Sequence, residues 1–126
     1  MTLILDAGAL LAVERGDRAM ARRLKAELLA ATPPRSHGGV VAQVWRVGGS
    51  RQARLSRALP AIEVAPLDDE LGRRAGSLLG RAGRSDAIDA AVVALANHAD
   101  RIVTSDPDDI NHLVATLGLR VDVIPV

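Results

Sequence analysis

The sequence predicts an α/β fold, a parallel sheet covered by helices on both faces. Three observations predict it. Short, wholly apolar runs such as Leu3-Ile4-Leu5 and Ile102-Val103 read as strands buried on both sides. They alternate with segments of helical period. The core must also be aliphatic, because apolar residues make up 48% of the chain and Trp45 is its only aromatic. Leu, Val, Ile and Ala suit helices packed on a sheet. The 126 residues suffice for one domain spanning 1–126.

Thr2 to Leu5 is the first expected strand, followed by a turn at Ala7-Gly8 and a short helix from Ala9 to Glu14. Gly16 stops that helix, and Asp17 caps the next, where Met20, Leu24 and Leu28 recur at helical spacing. Thr32-Pro33-Pro34 breaks it, and Arg35 to His37 reads as a very short second strand. Val40 to Val47 is expected to be helical, ended by Gly48-Gly49. Arg51 to Leu59 then forms a basic helix with Arg51, Arg54 and Arg57 on one side.

Pro60 stops this helix, and Ile62 to Ala65 is the third strand. Asp68 or Asp69 starts a helix closing near Gly83. Ser85 to His98 is another, with Ile88, Ala91, Val92 and Leu95 as its core stripe. Arg101 to Thr104 is the fourth strand, Pro107 to Leu117 a helix, and Val121 to Ile124 the last strand.

Composition excludes several classes of function. Without cysteine there are no disulfides and no thiolate metal sites, which is compatible with a reducing cytoplasm. No apolar stretch reaches the roughly 18 residues that span a bilayer, and no signal peptide is expected. A cytoplasmic protein without a membrane partner is the expectation. The net charge is only +1, yet all but one of the 16 basic residues are Arg. Arg suits phosphate oxygens, although a GC-rich genome also raises Arg usage.

The acids carry the chemistry. Asp6 and Asp106 close two apolar strands, and open parallel sheets bind ligands at the carboxyl ends of strands. Asp86 and Asp89, three residues apart, lie about 60° apart on one helix side and can face one point. Each has a structural alternative, since Asp6, Asp86 and Asp106 are all placed to cap helices. Together they form a cluster of anions that a hard cation such as Mg²⁺ or Mn²⁺ would neutralise. Asp108 and Asp109 rank lower, as support or caps. Glu14, Glu27, Glu63, Glu70 and Asp122 read as solvated. His37, His98 and His112 lack metal-ligand spacing, and Ser36 and Ser85 lack a His-Asp partnership.

The segments LDAGALLA, VVAQVWR, SDAIDAAVVALA and VTSDPDDI resemble a PIN domain, specifically the VapC-type toxin ribonucleases of toxin–antitoxin pairs. The resemblance covers essentially the whole chain. It implies a parallel five-stranded sheet in the order 3-2-1-4-5, which sets the strands ending at Asp6 and Asp106 side by side. It further implies a Mg²⁺- or Mn²⁺-dependent endoribonuclease, usually a homodimer, neutralised by a VapB-type antitoxin. By matching segment, the site acids are Asp6, Asp89 and Asp106, with Asp86 as an accessory metal ligand.

Where that family has Glu, this chain has Gln43. The amide keeps an oxygen and loses the charge, so metal affinity and water activation should fall. Engineered inactivation, natural attenuation and compensation by Asp86 all fit. Arg46, Arg51, Arg54 and Arg57 are candidates for the RNA backbone, with a solvated helix face as the alternative. A receiver domain fails, since Pro66 rather than an acid follows the third strand. A haloacid-dehalogenase-type phosphatase fails because Gly8 stands where a second Asp is needed. A non-catalytic PIN module binding RNA or an antitoxin remains a rival.

Overall fold

The computed structural model describes residues 1–47 and 49–126. Gly48, half of the glycine pair expected to end a helix, lies outside them. Strands β1 (Leu3–Leu5), β2 (Arg35–His37), β3 (Glu63–Ala65), β4 (Arg101–Thr104) and β5 (Asp122–Pro125) form one sheet. Its order is β3-β2-β1-β4-β5, and every neighbouring pair is parallel. Around it lie α1 (Ala7–Glu14), α2 (Arg18–Leu29), α3 (Gly38–Val44), α4 (Ala53–Ala58), α5 (Asp69–Ala82), α6 (Ala87–Ala94) and α7 (Pro107–Leu117).

The central strand explains the core. Leu3, Ile4 and Leu5 have no exposed surface, and Ile4 pairs with Ile102 while Leu5 pairs with Val103. A strand so apolar is stable only with helices on both faces. From β1 the chain winds outward through β2 and β3, then returns to the other side for β4 and β5. The direction of winding therefore reverses between β1 and β4, and a crevice opens at their carboxyl ends.

Local chemistry sets the helix ends. Asp17 and Asp68 accept backbone hydrogen bonds from Met20 (2.9 Å) and Leu71 (2.9 Å), starting α2 and α5. Gly83 ends α5 in the left-handed region, where a side chain would be strained.

Four expectations need correction. No turn separates β1 from α1, because Asp6 is itself the N-cap. The helix expected to run to Val47 stops at Val44, and Trp45 is extended. The basic helix begins as a 3₁₀ turn, Ser50–Gln52, so Arg51 is out of phase with Arg54 and Arg57 in α4. Finally, α6 ends at Ala94 rather than His98. Arg74 donates to the Ala94 carbonyl there, and Asp100 draws the Asn97 amide into a turn at 2.8 Å.

Candidate active site

The crevice between β1 and β4 collects the acids. Asp6 follows Leu5 directly, and its amide donates to the Val103 carbonyl at 3.2 Å. That bond holds the residue against β4. One carboxylate oxygen accepts from the Ala9 amide at 2.9 Å, and the residue is only 3% exposed. Burial pushes its pKa up, against hydrogen bonds from the Thr104 hydroxyl and the Ala9, Ser105 and Gly8 amides. Gly8 is needed here, since a Cβ would collide with the Ser105 side chain. Its absence lets the first turn of α1 lie against the loop that carries Asp106.

Asp106 stands at the N-terminus of α7 but makes no side-chain capping bond. The Thr104 hydroxyl accepts from the Asp106 amide at 2.8 Å, and Thr104 is fully buried. The exposed Asp106 carboxylate is thus left for other partners. Thr104 thereby holds the backbone that carries Asp106, a role no sequence pattern announced.

Asp89 occupies the first turn of α6 and is half-buried. Its pKa is pushed up to about 6, first by burial and then by the charges of Asp86, Asp6, Asp106 and Asp109. Asp89, Asp106 and Asp109 each offer an oxygen, and these oxygens lie within 4.8 Å of one another. Among the described residues no other set of three His, Asp or Glu side chains meets that spacing.

The structure ranks the acids differently from the sequence. Asp109, taken as support, belongs to the tightest trio, with Arg84 at 3.7 Å beside it. Asp86, taken as a metal ligand, caps α6 by accepting from the Asp89 amide at 3.0 Å. It lines the same opening as Asp89 and Asp109. Gln43 is exposed and lines a different opening with Leu11, Glu14, Arg46 and Arg51.

His37 is another residue whose role the sequence hid. It is fully buried, and its Nδ1 accepts from the Gly39 amide at 3.0 Å. Nε2 therefore carries the proton and donates to the Ile88 carbonyl, also at 3.0 Å. Burial lowers its pKa and keeps it neutral. The bond ties the β2–α3 junction to the residue preceding Asp89.

The four arginines part company. Arg46 and Arg51 flank Gln43, whereas Arg54 and Arg57 line a mostly apolar groove between α2 and α4 with Val13, Leu24 and Leu28.

An all-carboxylate trio suits a hard divalent cation, since oxygen ligands at close range otherwise repel. No helix among the described residues is long and apolar enough to cross a membrane.

No curated protein sequence matches the chain. The backbone resembles a chain in the crystal structure of VapBC2 from Rickettsia felis bound to a DNA fragment from their promoter. That match has a TM-score of 0.68 and 17% identity, covering 98% of each chain. It also resembles a chain of FitAB bound to an IR36 DNA fragment, with a TM-score of 0.67 and 15% identity. Here 97% of this chain and 94% of the other are covered. At these identities the likeness speaks for the fold. The family model described as PIN domain matches residues 3–114, nearly the full length. The chain belongs to the PIN domain family.

Proposed function

We propose that this chain is a VapC-type toxin, a divalent-metal-dependent endoribonuclease that hydrolyses RNA phosphodiester bonds. The observation that carries the reading is the meeting of the Asp89, Asp106 and Asp109 carboxylates, whose oxygens lie within 4.8 Å of one another. Membership of the PIN family supports it, as does the likeness in fold to chains of VapBC2 and FitAB, each bound to a DNA fragment.

Asp89, Asp106 and Asp109 would hold Mg²⁺ or Mn²⁺, and buried Asp6 would complete the charge behind them. When bound, such an ion lowers the pKa of a water nucleophile and offsets charge on the phosphate. Asp6 and Thr104 fix the β1 and β4 ends, while His37 and the Asp86 cap hold the first turn of α6. Arg46 and Arg51 are the arginines best placed to bind RNA phosphates. Arg54 and Arg57 border the α2–α4 groove, which with its Leu24 and Leu28 floor suits an amphipathic antitoxin helix. The working form is a cytoplasmic homodimer with a VapB-type antitoxin.

The second reading, a PIN module that binds RNA or antitoxin and cuts poorly, is favoured by one residue. Gln43 stands where the family has Glu and lies outside the opening shared by Asp86, Asp89 and Asp109. A cleavage assay of this chain beside Gln43→Glu, with and without Mn²⁺, separates the two. Metal-dependent cutting by either protein supports the nuclease. No cutting by both, with antitoxin still bound, supports the module.

A further inference from the structure

Among the described residues, Arg84 is the cation lining the opening that Asp86, Asp89 and Asp109 share. Its backbone is fixed. Gly83 ends α5 in the left-handed region, and the Arg84 amide donates to the Leu79 carbonyl at 3.2 Å. Two further bonds lock this end of α5 to α7. Nε2 of His112 donates to the Ala82 carbonyl at 2.8 Å, and Arg81 donates to the Thr116 carbonyl at 2.9 Å. Asp109 lies on α7 about one turn before His112. Arg84 and Asp109 thus project from two backbones held in register.

The side chain, by contrast, is loosely held. Its Nε stands 3.7 Å from an Asp109 oxygen, beyond hydrogen-bond length, and both side chains are nearly half exposed. The arginines within α5 are better engaged. Arg73 Nε lies 3.0 Å from both Asp69 oxygens, while Arg74 and Arg81 donate to carbonyls at the ends of α6 and α7. An ion pair as long and exposed as Arg84–Asp109 contributes little to stability. It leaves the guanidinium fork open to another partner.

Charge decides what that partner is. Three carboxylates outweigh one divalent ion, and Asp86 adds a further one at the same opening. An RNA phosphate arriving there is repelled unless a second cation stands beside the ion. The opening, about 90 Å³, has room for an ion and a few waters but not for a nucleotide. The phosphate must therefore stop at its mouth, where the exposed Arg84 is. Arg46 and Arg51 border a different opening and do not serve this one.

We propose that Arg84 binds the RNA phosphate that lies against the acids, and that a divalent ion frees it to do so by taking the Asp109 oxygen it faces. This role rests on the reading of the chain as a metal-dependent ribonuclease, yet binding tests it apart from cutting. The full chain is mixed with a labelled, short, mixed-sequence single-stranded RNA, in EDTA and in Mn²⁺. Anisotropy is read by stopped flow before cutting proceeds.

In Mn²⁺, Arg84→Ala should weaken RNA binding about 10- to 150-fold. The slope of log affinity against log salt should become shallower by about 0.7, the share of one phosphate on a single strand. In EDTA, where Asp109 keeps the guanidinium and the bare acids repel the strand, the same change should cost less than about 3-fold. Arg84→Lys should keep the slope and recover part of the affinity, since an ammonium has the charge without the fork. Mn²⁺ affinity, measured by calorimetry without RNA, should hold or rise slightly in Arg84→Ala.

An unmoved salt slope in Mn²⁺, or RNA that does not bind at all, overturns the proposal. So does an equal loss in EDTA, which would make Arg84 one surface charge among many. RNA and Mn²⁺ affinities rising together in Arg84→Ala would reduce the residue to a latch on Asp109, and both falling would reduce it to a brace. A shallower slope without cutting by Gln43→Glu keeps the Arg84 contact and removes the nuclease. Cutting by Gln43→Glu with an unmoved slope does the reverse.

Discussion

Buried acids sit at both edges of this sheet, and the two edges treat them in opposite ways. At the amino edge Glu27 is 7% exposed and meets Arg101 at 2.5 Å and Thr32 at 2.7 Å. Asp100 there accepts from the Thr2 and Asn97 amides, each at 2.8 Å. Every buried carboxylate at that edge has a donor, and the arrangement resists unfolding. At the carboxyl edge Asp89, Asp106 and Asp109 crowd together, and among the described residues the cation paired with them is Arg84, 3.7 Å from Asp109. Like charges so placed oppose folding unless something else is held between them. At one edge the acids are paired; at the other, Asp6 accepts from the Ala9 amide while Asp89, Asp106 and Asp109 face one another.

The sharpest way to break this contrast is Asp89→Asn in the Gln43→Glu background. Cleavage in Mn²⁺ should fall by at least about 100-fold, since loss of outer partners alone costs about 10–100-fold. Retained turnover would move the site elsewhere. At the other edge, Glu27→Ala should remove about 2 kcal/mol of stability in urea denaturation, leaving Arg101 without its partner. An unchanged midpoint would show that the pair is idle.

The edges should also titrate with opposite slopes. Burial opposes the charged form of Glu27, but hydrogen bonds from Thr32 and Arg101 outweigh it and lower its pKa. Its contribution to stability is therefore lost as acid protonates it. Asp89 is raised from 3.8 to about 6, so its contribution is fully present below 3.8 and is lost as pH climbs through 6. Asp89→Asn should then stabilise the metal-free protein at neutral pH by about 1 kcal/mol, a figure discounted because the side chain is half exposed. Thermal melts at pH 4 and pH 7.5 test the sign; a gain at pH 4 only would contradict it. The smallest effect belongs to Arg84→Ala, about 0.3 kcal/mol for an exposed pair. Its use is diagnostic: metal affinity should rise slightly as a competing cation leaves Asp109.

Part of this contrast was legible in the sequence. An acid ending an apolar run has few structural uses, which singles out Asp6 and Asp106 in the sequence, and the spacing to Asp86 singles out Asp89. The sheet order came through resemblance, since periodicity alone cannot order strands. Asp109 was hidden because an acid in the first turn of a helix is also what the helix dipole favours. Glu27 was misread as solvated, although it lies seven residues after Met20 and so on the same buried stripe. Its partner Arg101 is 74 residues distant, which no local pattern reports. The arginine stripe failed for a similar reason, because a single 3₁₀ turn at Ser50–Gln52 changed the phase of everything before Ala53.

Direct titration of Mn²⁺ into the full chain, followed by calorimetry, bears most closely on the acidic edge. Saturable binding at neutral pH should weaken as pH falls through about 6, where Asp89 takes up its proton. It should disappear in Asp89→Asn and in Asp106→Asn while both variants remain folded. Heat that never saturates, or binding that survives both substitutions, would mean that these carboxylates meet without a cation to hold.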